Sequence, residues 1–415
     1  MKNKTKYLFT TMGAIIALNV VPHTAYAEWK KPQIHEDINY WADMRYRYEG
    51  VEQDGIANDA DASTFLFRAG VEYKPFEQLS FLAELETNTP LGGEEYNSTT
   101  NGKGTYPVVA DPDSTELNRL QATFTGIPDT TAIVGRQRVI LDNSRYVGNV
   151  GWRQNEQTFD SVVLVNKSLP DTTLIGGYVW NVHRIFGSQS DARKLDADNT
   201  YLLNGKYTGF DFADITAYGY LLDVDENAAL SSKTFGVRAK GAYPLNDDQK
   251  VLYTAEYAKQ TDRADNTNDL SANYYLAELG FKHKAVTVAA GFESLEGDGT
   301  TATAFQTPLA TLHAHNGWAD KFLTTPGDGL EDAYIKFLYK HDVPENDIIG
   351  DVKFTAVYHD FSAENNGTDY GQEINASVGT TFFGKFKTLL KYADYDEDGM
   401  FTDTEKLWFQ VATKF

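Results

Sequence analysis

The chain has no cysteine in its 415 residues. That excludes a disulfide framework and any thiolate metal site, and it suits a protein that crosses an oxidising periplasm without forming wrong bridges. Basic charge is also short: 37 Lys+Arg stand against 59 Asp+Glu, a formal −22. Such a chain is no partner for nucleic acid, whose phosphates require a basic face. After residue 27 no run of 18 apolar residues occurs, so no segment there makes a membrane-spanning helix. Long amphipathic helical stretches are missing as well. What the chain does carry is a heavy aromatic load, 25 Tyr and 24 Phe, and alternation of period two from one end to the other.

Residues 1–27 stand apart. Lys2, Lys4 and Lys6 precede a mostly apolar run from Tyr7 to Val21, and Ala25-Tyr26-Ala27 offers a small-x-small cleavage site before Glu28. That order is the order of a secretory signal peptide. Residues 28–36 read as a short periplasmic lead-in and 37–415 as one domain. Without the three leader lysines the 37 basic residues fall to 34 against 59 acidic ones, a formal −25.

In 40–48, Tyr40, Ala42, Met44, Tyr46 and Tyr48 share one face, with Trp41, Asp43, Arg45 and Arg47 on the other. Residues 64–74 and 234–243 repeat the pattern, the latter with Phe235, Val237 and Ala239 opposite Thr234, Arg238 and Lys240. Alternation of this kind means strands with one apolar face. Segments of this type fall near 37–48, 63–74, 78–88, 115–125, 129–138, 158–167, 171–184, 199–207, 210–222, 232–243, 249–259, 272–282, 285–295, 330–341, 350–360, 372–382, 385–394 and 405–415. They number 18, and most have the length that a tilted transmembrane strand requires. Short turns such as KPFEQ, GIPD and KSLPD follow the even-numbered segments, and longer polar loops such as 89–114, 139–157 and 296–329 follow odd-numbered ones. The expected fold is all-β: an antiparallel, up-and-down transmembrane barrel of 18 strands, with short periplasmic turns and long extracellular loops.

The terminal strand supports the same reading. Leu407, Phe409, Val411 and Phe415 lie on one face of KLWFQVATKF, a row that barrel closure protects from pairing with other chains. It resembles the strand that barrel-assembly machinery reads in bacterial outer-membrane proteins. The expected location is therefore the Gram-negative outer membrane, with its lipid as one partner. Eighteen strands make a wall too wide for its own side chains to fill, so the lumen should hold water or inward-folded loops and serve as a conduit.

Arg45, Arg47, Arg68, Arg119, Arg136, Arg138 and Arg238 fall on the polar side of their segments, together with Asp43, Glu72, Glu84, Glu86, Glu256 and Glu278. Fixed guanidinium charge in a low-dielectric wall favours anions and grips carboxylates bidentately. The alternative role is a set of wall struts made of arginine–carboxylate pairs. The segment GRQRVILDNSRYVGNVGWRQNEQTFD at 135–160 gathers Arg136, Arg138, Arg145 and Arg153 around an unusually apolar loop containing Val139, Ile140, Leu141, Val147 and Trp152. A solvated loop would be more polar, so 139–157 should fold into the barrel mouth as a constriction.

That segment, with GRQR at 135–138, Asp142-Asn143 and GWRQNEQTFD at 151–160, resembles the alginate-export family of outer-membrane proteins. The resemblance implies an 18-stranded channel with an arginine-lined path for anionic uronate polysaccharide. It assigns that path to Arg136, Arg138, Arg145 and Arg153, with Asp142 and Glu156 as their carboxylate partners.

Two other motifs compete for attention. Asp394, Asp396, Asp398, Gly399 and Glu405 have EF-hand spacing, but segments on both sides read as strands, which leaves at most a weak surface calcium site. His313 and His315 supply two ligands where a metal site needs more. No nucleophile motif stands out, and no cofactor is implied. The reading is a passive porin for small anionic solutes or acidic oligosaccharides, without enzymatic chemistry. The alternatives are a dedicated exporter of an acidic polysaccharide such as alginate and a plugged surface or adhesin barrel. Oligomeric state is open.

Overall fold

The computed structural model describes residues 36–192, 194–344 and 348–415. The signal-peptide reading of 1–27 and all but Glu36 of the lead-in lie outside the described residues. From Asp37 onward the chain is one unit. Its strands are β1 Ile38–Gln53, β2 Ala60–Phe76, β3 Leu79–Pro90, β4 Ser114–Ile127, β5 Thr130–Gln137, β6 Thr158–Asn166, β7 Thr172–His183, β8 Lys194–Tyr207 and β9 Asp214–Leu222. They continue as β10 Ser232–Asn246, β11 Gln249–Asp262, β12 Ser271–His283, β13 Val286–Leu295, β14 Leu330–His341, β15 Val352–Ser362, β16 Asp369–Phe382, β17 Phe386–Asp396 and β18 Thr404–Lys414. No α-helix occurs among the described residues.

Each strand pairs antiparallel with its sequence neighbour, and β18 pairs with β1, so the 18-stranded sheet closes on itself. Closure runs to the last residue. Phe415 N donates to Ala42 O at 2.8 Å, and Ala42 N donates to Phe415 O at 3.2 Å. The architecture expected from the alternation is the one observed.

The two faces separate as the period-two pattern demands. On β10 Phe235 and Val237 are exposed outward while Ser232 and Thr234 are buried inward. Register carries this division around the wall, since directly opposed residues share a face. The apolar girdle faces lipid, and the lumen side is polar.

The largest extensions beyond the expected segments occur at the ends carrying long loops. β1 and β2 extend to Gln53 and Ala60, leaving only 54–59 between them. Val51, Ala60 and Ala62 are buried there against Tyr96 and Val109 of the 91–113 loop. β8 starts at Lys194 because Leu195 and Ala197 pack into the main core. The acidic tract 394–405 is a hairpin: Asp394 and Asp396 belong to β17, Glu405 to β18, and Asp394 stands opposite Glu405. Strand pairing consumes both ends of the EF-hand-like spacing. No group of three or more acidic or histidine side chains among the described residues is placed to hold a metal ion.

Gly135 is required where β5 meets β4. Its φ is +115°, and a Cβ there would stand 2.2 Å from Leu120 O. Gly135→Ala is expected to destabilise the barrel by roughly 2 kcal/mol or more. Gly176→Ala on β7, which meets nothing within 4 Å, is expected to be nearly neutral. Unfolding midpoints of the two variants in detergent micelles check the contrast; equal midpoints would remove the strain argument.

Candidate functional site

The 138–157 loop turns into the lumen because it carries an apolar set, seven of its twenty residues. Val139, Leu141 and Val147 are buried in the main core with Phe159, Leu309 and Phe305. Positive φ values at Asp142, Ser144 and Val150 provide its tight turns. It does not fold in alone. Val147 forms a parallel bridge with Leu309 of the 296–329 loop. Gly148 N donates to Leu309 O at 2.9 Å, and Thr311 N to Ser144 O at 3.0 Å. The Gln157 amide then donates to both Gly148 O and Leu309 O, at 2.9 and 3.0 Å. The lumen therefore contains two loops joined into one layer.

The inner wall under this layer carries a cluster of three arginines and three carboxylates. Glu84 on β3 accepts from Arg119 at 2.6 and 2.9 Å and from Arg138 at 2.9 Å. Arg68 grips Glu86, and Arg138 also donates to Glu156. Trp41 Nε1 and Asn118 Nδ2 add bonds to Glu84 at 2.7 and 2.8 Å. The carboxylates are buried, but the Arg68, Arg119 and Arg138 side chains keep 12, 14 and 26% of their surface. Burial works to raise the Glu156 carboxyl, but Arg68 and Arg138 outweigh it and hold it below its ordinary value. Formal charge in this cluster cancels.

Arg45 on β1 has a different task. Its guanidinium donates to Gln154 Oε1 at 2.7 Å, to Gly151 O at 2.9 Å and to Arg153 O, which ties the 138–157 loop to the wall.

Three further arginines are buried. Arg153 donates to Glu49 of β1 at 2.9 Å and to Asp320 of the 296–329 loop at 3.2 Å. Arg47 lies 4.0 Å over the Trp152 ring and bonds Gln410 at 2.7 Å. Arg145 pairs with Glu293 of β13 at 3.1 Å. Arg238, partly exposed, pairs with Glu256 at 3.4 Å. Asp320 also receives Lys406 at 3.0 Å. Burial works to raise the Asp320 carboxyl, but His313, Lys406 and Arg153 hold it well below the usual range.

Two assignments from the sequence change. Arg136 stands opposite Leu120 of β4 and Asp160 of β6, positions on the lipid-facing side with Val134 and Val162. There it pairs with Asp160 at 2.9 Å, beside His183. The i, i+2 spacing with Arg138 misled because β5 ends at Gln137 and Arg138 already belongs to the loop. Asp142 accepts from Asn204 at 2.7 Å, whereas Glu156 has the expected arginine partners.

Sequence reasoning missed the basic face on the opposite wall. Register places Lys240, Lys250, Lys282, Lys336, Lys340 and Lys353 inward on β10–β15, in the half with the short turns. Lys250 stands directly opposite Lys282, and Lys340 directly opposite Lys353. Like charges in that position destabilise a sheet. Carboxylates pair part of this charge: Glu278 stands 3.2 Å from Lys336, Asp342 and Asp351 stand 2.5 and 2.8 Å from Lys340, and Asp214, opposite Lys240, pairs with Lys206 at 2.7 Å. A hollow of about 610 Å³ lies at this end, lined by the 244–250 turn with Lys282 and Lys284. The signal was present in the alternation, which put Lys240 on the polar face, but arginine had drawn the attention.

Arg153→Ala would leave Glu49 buried without its partner, at a cost of about 3–5 kcal/mol. The expected result is faster amide exchange in Gln154–Gln157, with the strands still protected. Unchanged exchange there would deny Arg153 its anchoring role.

A family model described as Alginate export matches residues 41–294, more than half of the chain. No curated protein matches it. Among solved structures, OccAB2 of Acinetobacter baumannii is similar with a TM-score of 0.71 at 16% identity, over 91% of this chain and 98% of that one. OccAB4 of the same organism gives 0.68 at 14%, over 93 and 100%. The outer membrane protein opdK of Pseudomonas aeruginosa gives 0.68 at 13%, over 91 and 98%.

Proposed function

The chain belongs to the alginate-export family, and from that premise we propose that this porin-like outer-membrane barrel passes small anionic solutes, uronate-type oligosaccharides among them, by diffusion. One observation carries the reading: the directly opposed pair Lys250–Lys282 on the inner face, whereas Lys340, opposite Lys353, is already held by Asp342 and Asp351. A wall that keeps like charges side by side forgoes stability, and an anion in the lumen recovers it. The partly exposed guanidinium groups of Arg68, Arg119 and Arg138 offer a second contact for carboxylates. Their own carboxylates neutralise them on balance, so selectivity rests mainly on the lysines. Arg45, Arg47, Arg145 and Arg153 act as anchors for the inner loops, and Arg136 stands outside the path. Export of a long acidic polysaccharide is the second reading. Two loops tied across the lumen favour short solutes over a polymer.

Residues 1–27 are proposed to direct export to the periplasm and to be removed there. Phe415 and the apolar face of β18 are proposed as the signal for barrel assembly. No enzymatic chemistry is part of this function.

Reversal potential in a planar bilayer under a KCl gradient tests the proposal. Wild type is expected to prefer chloride. Replacing Lys250, Lys282, Lys340 and Lys353 by Gln should reduce that preference severalfold, while Arg136→Ala should leave it unchanged. Cation preference in wild type, or a lysine variant indistinguishable from it, would overturn the assignment.

A further inference from the structure

The 296–329 loop holds two histidines that the transport reading does not use. His313 Nδ1 donates to Asp320 Oδ1 at 2.7 Å, and its Nε2 lies 2.6 Å from Lys391 Nζ. With Nδ1 donating to Asp320, Nε2 accepts from Lys391 Nζ, and the ring in this arrangement is neutral. A second proton would remove the acceptor that Nε2 offers Lys391. The ring has no room to turn away: it is stacked on Trp152 at 4.5 Å and meets the edge of Trp408 at 5.8 Å. The Lys391 Nζ is itself enclosed, 4.1 Å from the centre of Trp152 and 3.9 Å from that of Trp318. His315 Nε2 is buried with no hydrogen-bond partner.

We propose that the 296–329 loop is an acid-released lid within the lumen, docked at neutral pH through these two neutral histidines and freed when they take up protons.

The surroundings of both rings oppose protonation in the docked state. Lys391 from β17 meets His313 directly, Lys406 from β18 and Arg153 from the 138–157 loop reach its partner Asp320, and Arg47 from β1 lies over the Trp152 ring on which His313 stacks. The facing carboxylates are Asp320 of its own loop and Glu49 of β1, with Asp111 of the 91–113 loop behind the two arginines. His315 faces Arg145 of the 138–157 loop and Arg238 of β10, against Glu293 of β13. His359 of β15 reaches the loop through Asp332, which it shares with Asn316, and it lies near Glu373 of β16, which accepts from Ala319 N of the loop at 3.0 Å. Burial, with Lys391 and Arg153 added, pushes His313 down to about 3 despite Asp320. Burial and Arg145 push His315 down to about 3 as well.

A released loop titrates its histidines near the ordinary value, about 6.5. Between that value and the docked one, the released form binds up to two more protons. Docking is therefore fully present above about pH 6.5 and weakens as pH falls, by up to ~100-fold per pH unit for the pair. Asp320 acts in the same direction, but only below the usual carboxylate range. The inference concerns what occupies the lumen, and it holds whichever ion the channel prefers.

Single-channel conductance of wild type at pH 7.5 and 4.5 is the test, with two variants beside it. Wild type is expected to show larger or more frequent openings at pH 4.5. His313→Asn/His315→Asn removes the titrating groups and should respond little to pH. Val147→Cys/Leu309→Cys places a disulfide between the two inner loops of a chain with no other cysteine. Oxidised, it should hold the acid-pH conductance at the neutral level, and reduction should restore the rise. Wild-type conductance that is equal or absent at both pH values would overturn the proposal. A rise that persists in the oxidised cysteine pair would overturn it too, since acid would then be acting elsewhere.

Discussion

In a lipid core every backbone N–H and C=O must be paired within the protein, and closure of β18 on β1 is what meets that demand here. Once the sheet is closed there is no free edge, and each strand has one face toward lipid and one toward the lumen. The alternating pattern, the apolar exterior and the polar interior all follow from this single requirement. So does the location of the charge problem, because every inward polar residue shares one enclosed space.

The molecule solves that problem by pairing. Inward arginines meet inward carboxylates at close range, and the loops entering the lumen bring partners that the wall lacks. Glu49 waits on β1 for Arg153, and Glu293 on β13 for Arg145. Such pairs contribute little net stability, because desolvation offsets their attraction. They do specify which loop sits where, since a misplaced loop leaves a charge buried alone. The 138–157 and 296–329 loops are in this sense a small second core, sealed by Trp152, His313 and Trp408 and oriented by ion pairs around Asp320.

The lysine wall follows the pairing rule only in part. Lys336 is held by Glu278 and Lys340 by Asp342 and Asp351, but Lys250 and Lys282 stand side by side on the inner face. The chain as a whole is strongly acidic, and acids stand at this end too, Asp247 and Asp248 in the turn that lines the hollow and Asp342 and Asp351 on Lys340. A net formal charge therefore says little about a channel whose relevant field is inside it.

The sequence by itself determined the strand count, the inward and outward faces and the return of the 138–157 loop, because period two and a misplaced apolar run are local properties. Tertiary structure decided the rest. Arg136 changed faces because one residue at a strand end separates wall from loop. Arg153 and Glu49 lie 104 positions apart in sequence, and only barrel closure makes them neighbours. His313 read only as one of two ligands too few for a metal site until β17 supplied Lys391. Which charges meet depends on register and loop docking, and these are set by contacts between residues far apart in the chain.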